Sequence, residues 1–150
     1  MPIRVGDTFL IQTGSPSDPD RNHLVVAISD IAIDAGGTIL FVSIGSVKDG
    51  KRHDKTCEIL AADDVHPFIT KDSFVDYAMI AQVSSEAILR RAIPDGDGNR
   101  TRHRLPDDLI DRIRQGVFNS PRVKRWARDD LAKCQRLERR RDDAKDNPPR

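Results

Sequence analysis

The chain is short of aromatic rings, of cysteine and of long apolar runs. Aromatic residues make up 5% of its 150 positions, so stacking platforms for nucleobases are few. The two cysteines, Cys57 and Cys134, lie far apart and belong to no CxxC pair or ligand cluster, which reads as two reduced packing residues. No two of the four histidines are spaced for one helix or turn to present them together, so no metal is expected. Gly36-Gly37 and the DGDG at 95–98 lack the strand-loop-helix setting of a phosphate loop, and no cofactor is expected either. No run approaches the eighteen or so apolar residues of a membrane span, and Met-Pro-Ile-Arg-Val has no signal-peptide core. The expectation is a cytoplasmic protein with no membrane partner.

What is present fits one folded unit. Apolar residues make up 37% and charged residues 33%, so the core must come from a few dense segments, and these cluster before Ile93. The net charge of +1 conceals an asymmetry: residues 122–141 carry nine Lys/Arg against three Asp/Glu. A basic C-terminal segment on a mildly acidic body suits nucleic acid or an acidic partner, or is simply a solvated helix face.

Short β-branched runs separated by turn residues dominate the first half. VGDTFLIQ (5–12), HLVVAISD (23–30), TILFVSIGSV (38–47), CEIL (57–60) and the run 73–83 read as strands. Strands this short and this closely spaced predict a small curled antiparallel sheet or barrel, a mainly β class with helices appended. A helix is expected from Ser84 or Ser85 to Pro94. Pro106-Asp107-Asp108, followed by Leu109, Ile110, Ile113 and Val117 on one stripe, predicts a helix packed on the sheet. Ser120-Pro121 repeats the start signal, and Val123, Trp126, Ala127, Leu131, Cys134 and Leu137 recur at three- and four-residue steps. That amphipathic helix is expected to dock through Val123, Trp126 and Leu131. Residues 142–150 have no apolar anchor and are expected to be disordered.

Three places together resemble the PemK/MazF-like toxin family: Gly6-Asp7 before the first strand, HLVVAISD as the second, and a later strand ending in AQVSSEAILRRAI, followed by LPDDLIDRIRQGV as the last helix. HDKTCEILAADDVHPFITKDSFVDY also resembles a toxin-like subgroup with an HD-x-T-C run and a DHPFI, here interrupted by Val65. The resemblance covers roughly residues 4–118 and divides the chain into a barrel domain, 1–118, a basic helix, 119–141, and a tail, 142–150. It implies an SH3-like barrel, a homodimer that cleaves single-stranded RNA without metal and is neutralised by a small antitoxin protein. The family pattern places an Arg six residues before the Ser that closes the second strand. Counted from Ser29 that position is His23, with Arg21 two residues earlier. The family's reactive Thr or Ser at the end of the third strand falls at Gly45-Ser46, where Ser46 is the better match.

Metal-free RNA cleavage needs a base for the 2′-OH proton, an acid for the leaving 5′-oxygen, and cations for the charged phosphorane. His23, Arg21 and Ser46 are the candidate catalytic residues, with Lys48 beside the phosphate, provided the sheet brings the His23 imidazole next to the Ser46 hydroxyl. Lys51, Arg52, His53 and Asp54 are candidate RNA-binding residues, because a carboxylate beside an imidazole orients it and the cations attract phosphate. The plainer reading of His53-Asp54 is a polar hairpin tip in which Asp54 and Thr56 bond their own backbone. His66-Pro67-Phe68 reads as a turn with one buried ring rather than a part of the chemistry, and His103, among Arg100, Arg102 and Arg104, as part of either a flexible phosphate clamp or a solvated linker. Two other readings stand beside the endoribonuclease: a non-catalytic RNA- or protein-binding module on the same fold, and a CcdB-like topoisomerase poison.

Overall fold

The computed structural model describes residues 3–12, 22–30 and 37–146. Five strands form one antiparallel sheet: β1 (Thr8–Gln12), β2 (Asn22–Ala27), β3 (Thr38–Ser46), β4 (Glu58–Ile59) and β5 (Ser73–Ser84), in the spatial order β1-β2-β3-β5-β4. Three helices follow, α1 (Ser85–Arg91), α2 (Asp107–Asn119) and α3 (Arg125–Asp146). Every strand expected from the β-branched runs is present; four are shorter than expected, although β2 begins one residue earlier, at Asn22, and β5 runs one residue further, to Ser84. The α3 helix begins at Arg125, five residues after its expected start signal.

Two expectations about the class are corrected. The sheet is open rather than a closed barrel. Its β1 edge is covered by irregular chain after α1, through an Ile11–Ala92 bridge and the bonds Ile93 N to Leu10 O and Arg102 N to Thr8 O. Its other edge ends in the two-residue β4. Nor is the class mainly β: among the described residues helices hold more positions than strands, because α3 runs on to Asp146 through residues expected to be disordered. A helix already docked through its first turns extends at little cost, since each added residue gains a backbone bond.

The alternation of side chains along the strands, interrupted in the β3–β5 pair by a register shift between Phe41 and Ser43, builds a core on either face. Leu24, Val26, Leu40, Val42, Ile44, Val75 and Tyr77 face α2 and α3, burying Leu109, Ile113, Val117, Val123, Ala127, Leu131 and Cys134. The C-terminal helix therefore shares one core with the sheet. On the opposite face Phe9, Ile11, Val25, Ala27, Ile39 and Phe41 pack on Ile88 of α1 and on Ala92 just after it. Trp126, expected as an anchor of α3, stays 39% exposed; Ala127 takes the inward position. Arg114 of α2 grips Glu138 of α3 through two hydrogen bonds of 2.8 and 2.7 Å. Both cysteines are buried, and neither is in a disulfide.

Candidate functional site

Strand register decides which side chains meet. His23 pairs with Ile11, and Ser43 with Val25 on one side and Asp76 on the other. Directly paired residues share a face, so His23, Ser43 and Asp76 all lie on the α1 face of the sheet. Helix α1 follows Ser84, which pairs with Thr38, and therefore caps only the far end of β3. The near end is left uncovered, and the segment after β3 folds over it.

The result is a partly enclosed cavity of about 180 Å³ lined by His23, Ser43, Ile44, Gly45, Ser46, Lys48, Lys51, Arg52, His53, Phe74 and Asp76. Lys48, Lys51 and Arg52 are exposed at its rim, whereas His23, Ser43, His53, Phe74 and Asp76 are half-buried. Gly45 is needed here for close approach. A Cβ at this position would lie 2.9 Å from the Phe74 ring, so only glycine lets that ring cross β3. His53 then packs on Phe74 with ring centroids 5.0 Å apart, and its Nε2 meets Glu58 Oε2 at 3.1 Å. The imidazole is thereby held by a ring on one side and a carboxylate on the other.

Of the residues singled out in the sequence, His23, Ser46, Lys48, Lys51, Arg52 and His53 line this one cavity. Arg21 lies outside the described residues. Ser46 is at the rim, but it pairs with Ser73 two positions beyond the Ile44–Val75 pair. Alternation thus puts it in the Ile44 column, on the face opposite His23; the hydroxyl that shares a face with His23 belongs to Ser43. Asp54 turns away from the cavity and is buried. Its Oδ1 accepts from the Thr56 N–H and hydroxyl, and its Oδ2 from the Ser120 hydroxyl. Burial alone would raise its pKa, but these bonds and the nearby Arg122 outweigh it and hold the carboxyl below the usual range. Asp54 is an anchor between the cavity loop and the α2–α3 junction.

Asp76, Ser43 and Phe74 were missed by sequence reasoning. The signal was there in part: within FVDY, buried Val75 and Tyr77 alternate with Phe74 and Asp76, and a carboxylate in mid-strand on the face opposite a core needs an explanation. Which face that was, and what stood opposite, required the register.

Away from the cavity, His66 is buried. Its Nδ1 accepts the Phe68 N–H at 3.1 Å, so Nε2 carries the proton and donates to Thr8 Oγ1 at 2.9 Å, and the Thr8 hydroxyl donates to the His103 carbonyl. Burial, reinforced by His103 and Arg102, pushes its pKa down to about 4. This is a structural histidine. Among the described residues no three of His, Cys, Asp and Glu converge to hold a metal ion, and no helix is long and apolar enough to cross a membrane. Comparison with protein-family models and with curated proteins gives no match to this chain.

Proposed function

We propose that the cavity binds and cleaves single-stranded RNA without metal, in the manner of the toxin of a toxin–antitoxin pair. The observation that carries this reading is the meeting, in one cavity, of two imidazoles, a carboxylate and three rim cations drawn from separate parts of the chain. At about 180 Å³ the cavity is smaller than the roughly 300–1,000 Å³ of sites that enclose a drug-sized ligand, and suits a phosphodiester with part of a nucleotide. In the reaction the 2′-oxygen attacks the adjacent phosphorus and the P–O5′ bond breaks. His23 or Asp76 takes the 2′-hydroxyl proton, and His53, steadied by Glu58, gives one to the leaving 5′-oxygen. Lys48, Lys51 and Arg52 balance the charge that builds on the phosphorane. A second copy of the chain and a small acidic antitoxin belong to the same reading.

The test is incubation of purified protein with single-stranded RNA in EDTA. Cleavage is expected, with His23→Ala slowing it by about 10²–10⁴-fold. Undiminished cleavage by that variant removes His23 from the mechanism, and no cleavage of any RNA rejects the nuclease. The second reading, RNA binding without turnover, is favoured by one feature: Phe74 lies across Gly45, one of the two positions at which the resemblance allows a reactive hydroxyl.

A further inference from the structure

The cavity has a neighbour on the other side of the sheet. A second hollow of about 190 Å³, similarly enclosed, is lined by Leu10, Asn22, Leu24, Ile44, Ser46, Phe68, Ile69 and Ser73. Leu10 pairs with Leu24, Leu24 with Ile44, and Ile44 with Val75, so these walls lie on the face of α2 and α3, opposite His23. The two hollows nevertheless share Ile44 and Ser46, because β2 begins and β3 ends at this point, leaving a rim one strand-end thick between them.

The chemistry of the two differs. The first is cationic at its mouth. Among the described residues the second is lined by no charged side chain: it offers apolar walls, a 47% exposed Phe68 ring, and amide and hydroxyl groups from Asn22, Ser46 and Ser73. An exposed phenylalanine on a loop is usually mobile, but this one is fixed from several sides. Its backbone N–H is bound by His66 Nδ1, its ring lies 5.9 Å from the His66 ring, and the Arg102 guanidinium sits 5.2 Å from its centroid. Ser73 gives its hydroxyl proton to the Lys71 carbonyl at 2.8 Å, leaving its oxygen as an acceptor. An apolar slot with a fixed aromatic edge and a few neutral hydrogen-bonding groups is what an unstacked nucleobase requires.

We propose that this second hollow is a nucleobase subsite for the same RNA strand whose phosphodiester occupies the cationic cavity, the strand crossing the ends of β2 and β3 over Ser46, with Phe68 as the base platform. The proposal rests on the reading of the cavity as an RNA site. It explains why an electrically neutral slot adjoins a cationic one, and it makes binding depend on a base as well as on charge.

The experiment is fluorescence anisotropy with a labelled 2′-O-methyl hexanucleotide, which cannot be cleaved, and a set of the same oligomers carrying one abasic position each. One abasic position is expected to weaken binding by about ten-fold or more. Phe68→Ala should cause a similar loss with the intact oligomer and no further loss with that abasic one, while Phe68→Tyr binds as wild type. Because Phe68 is exposed, an unchanged melting temperature should accompany the alanine variant. Equal affinity of Phe68→Ala and wild type, or losses that simply add at every abasic position, overturns the base subsite and leaves the cationic cavity standing. Absence of oligonucleotide binding by wild type at low salt rejects the RNA reading and the subsite together.

Discussion

Neutral His66 makes the fold sensitive to acid in a defined window. Its folded pKa of about 4 lies below the ordinary imidazole value of 6.5, so the unfolded chain takes up a proton that the native chain refuses. Stability is therefore complete above the unfolded pKa, falls as pH drops through 6.5 and levels off below about 4. We expect urea denaturation at pH 5 to show a loss on the order of 2 kcal/mol relative to pH 7.5 from this group. His66→Gln should be less stable at pH 7.5 and lose less between the two pH values; an identical pH slope in the variant would refute the assignment. Asp54 makes the opposite kind of residue-scale statement. With three bonds to its carboxylate, Asp54→Ala should cost about 1–3 kcal/mol in chemical denaturation. It should also loosen the loop carrying Lys51, Arg52 and His53. Retention of full stability would mean that Ser120 and Thr56 find other partners.

At the scale of elements, α3 is the part whose role changed most between expectation and structure. It was legible as an amphipathic helix from its three- and four-residue spacing, yet periodicity gives a stripe and not its exact centre. Trp126 and Ala127 are neighbours, 100° apart on the helix, and it is the smaller residue that joins Ile113 and Val117 of α2 in the core. Since Val123, Ala127, Leu131 and Cys134 complete the core on that face, truncation after Asn119 is expected to yield a chain without a cooperative melt by circular dichroism. Leu131→Ala alone should cost about 2–5 kcal/mol. The same close packing governs Gly116, where a Cβ would overlap the Tyr77 hydroxyl that donates to the Ile113 carbonyl at 2.8 Å. Gly116→Ala should destabilise even though alanine is the better helix former; a more stable variant would show that α2 slides freely on β5.

At the scale of the whole molecule, charge is divided between two places. In the basic run at 122–141, Arg141 is paired with Asp30 of the body and the acid Glu138 is taken up by Arg114 of α2, whereas Lys48, Lys51 and Arg52 converge on one cavity mouth. If these three each meet a phosphate, log K for single-stranded RNA should fall against log salt with a slope of about −2. Lys51→Ala should reduce that slope by somewhat less than one. A salt-independent affinity would move the RNA elsewhere on the surface.

The sequence by itself determined the strands, the order of the helices and the list of cationic and imidazole side chains, since these follow from local spacing and composition. Only the tertiary structure decided which of those side chains share a face. A shift of one residue in register exchanges the two sides of a sheet, and register is set by packing on both faces together, not by any single strand. That is why His23 and Ser46 looked like partners along the chain, while the folded sheet sets Ser43 and Asp76 on the side of His23 and turns Ser46 toward Phe68.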